Sequence, residues 1–353
     1  MVGCEEPSEV SDLERLPILY VTEELEVATS FEEPLCEGDL RWLDSATRRV
    51  ESALGVEGDA LHTVYAYSAA DVFFETENST FYLQVPGCPR DLQGCYRLRD
   101  DIALGAPAVL AHELVHIVST ELDPIYVRFW YEGVAEALSE HPIIYIPSNL
   151  VEELATDDVL YNIPGHFIRW LIRRQGVEPV VRVLQGEPFE DVYGMGLASI
   201  EQIYDVEAAD IMPSPFACAD EPLLQSGDGS FDLATELDCA SPTTTRLRHG
   251  SDVDSLGTIR IITTETDATY LVEAAGLDRV EIGGCRVEPG DLVDQLGDVT
   301  SDADILASNN APLTTRVFPG QEVFLPASTY RVVLLAADTG ETQPIQFLLT
   351  PVE

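Results

Sequence analysis

Lysine is absent from this sequence of 353 residues, and all 19 of its basic residues are arginine. Against 63 acidic residues they leave a formal net charge of −44 at pH 7. Phosphate binding needs a basic surface, so this charge excludes nucleic acid as a partner. It also disfavours docking on an anionic membrane surface. Cationic peptides would be attracted, although a solvated, salt-tolerant surface is the simpler explanation.

Long apolar runs are also missing, and no stretch of 18 or more apolar residues predicts a transmembrane segment. No charged and apolar leader precedes Cys4, so a signal peptide would already have been removed. The start, Met1 to Cys4, resembles the end of a bacterial lipoprotein signal, which implies a lipid anchor at Cys4. The alternative is an unrelated exposed cysteine. We expect an exported protein: periplasmic, on the cell surface or secreted.

The seven cysteines form no zinc knuckle and no C-x-x-C motif, so disulfides are their expected use. Six of them besides Cys4 favour an oxidising compartment. Cys88 and Cys95 flank one short loop, and Cys218 and Cys239 flank another, so each pair could close its loop. Cys36 and Cys285 would then be left over, or would exchange partners in another pairing. Spacing alone does not decide between these pairings.

The segment His112-Glu113-Leu114-Val115-His116 has the pattern HExxH. Two histidines four residues apart on a helix lie one turn apart on the same face, so both imidazoles can bind one zinc ion. The glutamate between them is placed to act as general base on a water at the zinc.

The residues around this motif predict a buried helix. Pro107 suits the first turn, and the following positions are apolar nearly all round. Two histidines and a glutamate inside a buried helix carry a heavy desolvation cost unless they have partners. A metal ion supplies that partner.

A second helix motif follows, Trp130-Tyr131-Glu132-Gly133-Val134-Ala135-Glu136. HExxH followed by W-x-E-G-x-A-E resembles the gluzincin group of zinc metallopeptidases, the thermolysin-like and aminopeptidase-like enzymes. The resemblance implies that His112, His116 and Glu132 bind zinc and that Glu113 is the base. It implies that Glu136 hydrogen-bonds a ligand histidine.

The chain departs from this family in two respects. The segment between His116 and Glu132 is shorter than in the best-known members, so Glu136 competes as third ligand. The G-x-M-E-N motif of the aminopeptidase branch is absent, which favours an endopeptidase. The resemblance covers about residues 100–205.

The oxyanion formed during peptide hydrolysis needs a donor besides the metal. Tyr161 is the first candidate because it stands just before the next helix. His166 is the second and Tyr193 the third, and each could instead be a core or rim residue. His62, His141 and His249 are expected to be hydrogen-bonded within the protein or solvated. Arg169, Arg173 and Arg174 lie on the helix after Tyr161 and are expected to form a solvated face, with binding of a substrate carboxylate by one of them as the alternative.

Four regions are predicted from the composition: a flexible tether at 1–16, a catalytic domain at 17–212, a disulfide-bearing linker at 213–250, and an all-β sandwich-like domain at 251–353. The fold class is α+β, with a strand-and-helix layer before the motif and helices after it. In a gluzincin-like core, an edge strand of that layer can hold the substrate backbone by strand addition.

These observations predict a zinc metalloendopeptidase that acts on a peptide or protein. The alternative is a peptide- or surface-binding lipoprotein that keeps a peptidase fold without turnover. A zinc hydrolase acting on another polarised carbonyl has the same ligand requirements.

Overall fold

The computed structural model contains 33% helix and 31% strand, which confirms the α+β class with several sheets. Its description covers residues 15–56, 58, 61–68, 73–75, 81–83, 85–88, 94–140, 143–156, 159–208, 211–212, 216, 220–246, 255–285 and 314–352. Cys4, most of the predicted tether and Cys218 lie outside these residues. None of the helices in this part of the chain has the length and hydrophobicity needed to cross a bilayer.

The first half of the chain builds a five-stranded sheet with the order β1-β2-β3-β7-β6. Its strands are β1 (Ile18–Val21), β2 (Leu25–Thr29), β3 (His62–Ala66), β6 (Gly94–Arg97) and β7 (Ile102–Gly105). A hairpin between β3 and β6 contains β4 (Phe73–Glu75) and β5 (Phe81–Leu83). The three central strands are parallel, whereas β1 and β6 are antiparallel edges.

Eight α-helices occur among the described residues: α1 (Glu37–Leu54), α2 (Leu110–Ser119), α3 (Arg128–Leu138), α4 (Leu150–Ala155), α5 (Asn162–Gln175), α6 (Glu178–Leu184), α7 (Phe189–Tyr193) and α8 (Leu197–Glu207). A short antiparallel pair of strands, β8 (Ile143–Ile144) and β9 (Ile211–Met212), joins the segment after α3 to the segment after α8. The helix α1 ends at Gly55, which has a φ of 70° and donates its N–H to the Glu51 carbonyl.

One hydrophobic core joins the sheet to the helices. Strands β2 and β3 contribute Val27 and Val64, and α2 contributes Leu114 and Ile117, all fully buried. Apolar residues of α1 recur every three or four positions, which turns one helix face onto this core. The helix α2 is therefore enclosed between the sheet and the other helices.

The second half of the chain forms two four-stranded antiparallel sheets around a second core. Their strands are β10 (Phe231–Leu237), β11 (Ser255–Thr263), β12 (Ala268–Ala275), β13 (Arg279–Gly284), β14 (Thr314–Val317), β15 (Glu322–Leu325), β16 (Thr329–Ala337) and β17 (Gln343–Pro351). The orders are β10-β17-β12-β15 and β11-β16-β13-β14. Side chains from both sheets, such as Phe347 and Val332, meet in the same core.

The predicted linker 213–250 differs from the structure in one respect, because it contains β10. All seven residues of β10 pair with β17. Small and polar residues interrupt the apolar alternation along β10 and turn residues flank it, so its composition resembled a loop.

The two cores are joined by a disulfide between Cys36 and Cys239. Pairing of Cys239 with Cys218 is therefore wrong, whereas the Cys88–Cys95 pair is confirmed, and Cys285 is also disulfide-bonded. Cys36 stands just before α1 yet packs in the second core. Next to it, the N–H of Glu37 donates to the Cys239 carbonyl at 2.8 Å.

A salt-bridged network completes this junction. The Asp39 carboxylate accepts two backbone hydrogen bonds. One comes from the N–H of Cys36, just before α1, and the other from the N–H of Arg246 at 2.8 Å. The Arg246 guanidinium in turn bonds the Pro34 carbonyl and pairs with Asp338. The start of α1 is thus held by backbone and side chains of the second half.

We predict that Gly38→Ala destabilises the protein by about 1–3 kcal/mol, as expected for overpacking. A methyl group at Gly38 would overlap the Thr244 backbone carbonyl, which cannot move without shifting the junction. Denaturant unfolding measures the change. Gly227→Ala is the control, since nothing lies within 4 Å of its added Cβ. Equal stability of both variants would contradict a tight junction.

Candidate metal centre

The helix α2 carries the HExxH motif in the middle of the first core. It starts after a 3₁₀ turn, Pro107–Val109, in which proline occupies a position that needs no N–H donor. His112, Glu113 and His116 are 7%, 5% and 4% exposed. The predicted burial of the helix is confirmed, and all three polar side chains need partners inside the protein.

Three donor atoms converge at this place. His112 Nε2 and His116 Nε2 lie 3.1 Å apart, and Glu132 Oε2 lies 3.4 Å and 3.1 Å from them, respectively. A tetrahedral ion with bonds of about 2.1 Å holds its ligands roughly 3.4 Å apart. Among the described residues this is the one His/Cys/Asp/Glu group whose donors all lie within 4.8 Å. The spacing fits a zinc ion.

Glu132 and Glu136 lie one turn apart on α3 and contact different atoms of the motif. Glu132 faces both Nε2 atoms, whereas Glu136 Oε2 lies 3.1 Å from His112 Nδ1. The arrangement favours Glu132 as the third ligand and Glu136 as the hydrogen-bond partner that fixes the tautomer of His112.

The ring of His116 is held by packing. Tyr131 stacks on it at 4.3 Å between ring centroids, with an interplanar angle of 21°. Within the described residues His116 Nδ1 has no hydrogen-bond partner. The two imidazoles are therefore oriented by different means, one by a carboxylate and the other by an aromatic face.

The electrostatics of the group favour a bound cation. Burial opposes charge on His112, but hydrogen bonds to Glu132 and Glu136 raise its pKa well above the usual value. Burial lowers the pKa of His116. Burial alone would raise the pKa of Glu132, yet the two imidazoles hold it well below its ordinary value. Buried carboxylates here need positive charge, which a proton or a metal ion supplies.

Glu113 points to the sheet side of the same group. Burial raises its pKa to about 8, and Glu113 Oε2 has no hydrogen-bond partner among the described residues. The edge strand β6 passes directly beside it, since a Cβ built on Gly94 would lie 2.7 Å from Glu113 Oε1. A buried acceptor without a partner suits a group that receives a proton from a small molecule.

The three candidate oxyanion donors lie in different surroundings. The Tyr161 ring stacks over His112 at 5.9 Å, and Arg128 Nη2 donates to the Tyr161 hydroxyl at 3.3 Å. His166 is fully buried and hydrogen-bonded through Nδ1 to Tyr204 at 2.7 Å. Tyr193 is 8% exposed and packs on Phe189. The structure brings Tyr161 next to His112 of the candidate metal centre, whereas the ring contacts described for His166 and Tyr193 are with other aromatic residues.

Arg169 is buried and has a structural role that its charge did not predict. A solvated face was expected, but Arg169 is 3% exposed, and burial lowers its pKa to about 9. Its guanidinium donates to the carbonyls of Glu136, Ala137, Ser139 and Met212. Three of these carbonyls lie at the end of α3, so Arg169 caps the helix that carries Glu132 and Glu136.

Glycines allow α3 and α5 to approach closely. A Cβ on Gly133 would lie 2.5 Å from Ile168 Cδ1, and one on Gly165 would overlap the side chain of Glu136. The glycine that follows Glu132 in the motif therefore serves helix packing rather than chemistry.

We predict that Glu136→Gln weakens zinc binding by about 10–100-fold, as is usual for partners of ligand histidines. The neutral amide oxygen would accept from His112 Nδ1 more weakly than the carboxylate does, so it would raise the basicity of Nε2 less. Competition with a chromogenic chelator measures the affinity. The exposed Glu152→Gln on α4 is the control. Unchanged affinity in Glu136→Gln would contradict the assigned contact.

No protein-family model matches this chain, and neither does any curated protein. What the site can do is therefore inferred from its own geometry and from the chemistry of its residues.

Proposed function

We propose that this protein is a zinc-dependent metalloendopeptidase. The observation that carries the proposal is the joint geometry of His112, His116 and Glu132, with the buried carboxylate of Glu113 beside them. Three protein ligands leave room for water or substrate at the metal, as catalytic zinc sites do. A structural site would use a fourth protein ligand.

Zinc bound by these three residues would act as a Lewis acid that polarises the substrate carbonyl and lowers the pKa of a bound water. The residues of the chain do the remaining work. Glu113 accepts the proton of the attacking water and passes it to the leaving amine. His112 keeps its Nε2 turned to the centre because Glu136 holds its Nδ1.

Tyr161 is the proposed donor to the oxyanion. Its ring lies parallel to His112, and its hydroxyl already accepts a bond from Arg128. The guanidinium carbon also lies 5.8 Å from the Tyr161 ring centroid, so the same group contacts both the hydroxyl and the ring. Accepting that bond makes the phenol a better donor towards developing negative charge.

The edge strand β6 is the proposed binding surface for the substrate backbone. Within the described residues it pairs on one side, with β7. It runs beside Glu113, with Gly94 at the closest approach. Strand addition at this edge would bring a peptide carbonyl next to the catalytic base. Extended, unstructured peptide segments are therefore the substrate class that we propose.

The setting that we propose is outside the cytoplasm. Two disulfides among the described residues, Cys36–Cys239 and Cys88–Cys95, fit an oxidising compartment. Cys88–Cys95 also lies at the start of β6, where it ties the substrate-binding edge to the preceding turn. A lipid anchor at Cys4 would hold the enzyme at a membrane surface.

We predict that Glu113→Gln retains zinc and lowers the rate of casein cleavage by about 10²–10⁴-fold, the usual contribution of a general base. Elemental analysis gives the zinc content, and release of soluble peptide gives the rate. His116→Ala is the matched variant that should lose the metal as well.

Two results would contradict the proposal. If the wild type holds zinc but cleaves no unstructured protein, the fold serves binding instead of turnover. If Glu113→Gln cleaves as fast as the wild type, another group is the base.

We predict that Tyr161→Phe lowers kcat by about 10²–10³-fold, as loss of one oxyanion donor does, with little change in KM. The phenyl ring keeps the stacking on His112, so zinc content should stay the same. Tyr145→Phe removes a phenol that bonds Asp205 at the surface and is the control. Normal kcat in Tyr161→Phe would show that the oxyanion is stabilised elsewhere.

A further inference from the structure

A second group of metal-binding side chains lies apart from the residues described above. It consists of His62 at the start of β3, Glu51 in the last turn of α1, and Glu121 in the 3₁₀ turn Thr120–Leu122 that follows α2. We call it the His62 cluster. Alternate residues of β3 face the first core, which turns His62 towards the two glutamates.

The Nε2 atom of His62 lies in a buried side chain and makes no hydrogen bond. Its side chain is 6% exposed, and Nε2 has no hydrogen-bond partner among the described residues. Nε2 lies 3.4 Å from Glu121 Oε1 and 3.9 Å from Glu51 Oε1. A buried nitrogen that makes no hydrogen bond and lies between two carboxylates is a candidate ligand for a cation.

The charges around the cluster call for a cation. Burial raises the pKa of Glu51, and the neighbouring Glu24 and Glu121 raise it further. Arg48 opposes this effect, but its guanidinium is bonded to Glu24 at 2.6 Å and to Glu23 at 2.5 Å. The carboxylates of the cluster therefore repel each other with little compensation.

We propose that His62, Glu51 and Glu121 form a second binding site for a divalent transition-metal ion, zinc in the first instance. The distances from Nε2 to the carboxylates approach the roughly 3.4 Å that a tetrahedral zinc ion imposes on its ligands. The two carboxylates stand further apart than the donors of the first centre, so they would have to close on the ion. An imidazole with two carboxylates suits zinc, whereas calcium takes oxygen ligands.

The cluster has room for its ligands to close on an ion. The two carboxylates stand beside Gly58, where a Cβ would lie 2.6 Å from Glu51 Oε1 and 3.4 Å from Glu121 Oε1. Glycine at 58 thus leaves the space open. Both glutamates are partly exposed, 13% and 29%, so each side chain can shift towards His62. An ion there would tie α1, β3 and the end of the motif helix together.

This inference is independent of the proposed function, and zinc content tests it. The full chain is dialysed against zinc and analysed as wild type, His62→Gln, the double variant His112→Ala/His116→Ala, and the triple variant. With two independent sites, we expect about two, one, one and no zinc ions per chain, respectively. Retention of zinc by the double variant, and its loss in the triple variant, supports the site whether or not the wild type cleaves peptides.

Three results would overturn the proposal. The first is a double variant without zinc. The second is equal zinc content in the double and triple variants. The third is equal stabilisation of the double variant by calcium or magnesium, read as the rise in Tm on adding the ion. In each case the cluster is a His62 ion pair or a nonspecific acidic surface.

Two further variants keep the test valid if His62→Gln does not fold. In the double-variant background, Glu121→Gln should weaken zinc binding by about tenfold or more through loss of a ligand, with unchanged circular dichroism. Glu178→Gln removes a carboxylate that is 76% exposed and should leave zinc binding unchanged. If both weaken binding equally, the zinc is held by the acidic surface alone, which contradicts the site.

Discussion

Burial of ionisable side chains inside α2 is the constraint on which the rest of the first half depends. Two imidazoles and a carboxylate in an apolar core are stable only if neighbouring elements bring matching groups to them. Glu132 and Glu136 from α3 do so, and the capping of α3 by Arg169 holds them in place. The close α3–α5 contact at Gly133 and Gly165 serves the same end.

The site is thus assembled from four parts of the chain. The helix α2 provides the two histidines and Glu113, the proposed base, α3 provides Glu132 and Glu136, and the sheet edge β6 lies against Glu113. Tyr161, just before α5, covers His112 from the remaining side. A displacement of any one of these parts by about 1 Å would change the distances on which the proposed catalysis depends.

Much of this could be predicted from local patterns, because HExxH, the W-x-E-G-x-A-E segment and the alternation of the late strands are encoded by neighbouring residues. What could not be predicted depends on contacts between distant parts of the chain. Pairing of Cys36 with Cys239 spans 203 positions, and no spacing rule selects it. The strand β10 alternates weakly, and Arg169 has the charge of a surface residue although it is buried. The gluzincin likeness remains a prediction.

The junction at Cys36 has a consequence for how the chain acquires its fold during synthesis. The start of α1 is completed by Cys239, Thr244 and Arg246, and β10 near them pairs with β17, which ends at Pro351. The start of α1 therefore cannot be completed until β10 and β17 have been synthesised. Until then the apolar surface around Cys36 lacks its partners, and we expect chaperones to bind the unfinished chain there. Contacts of such high sequence separation also predict slow folding.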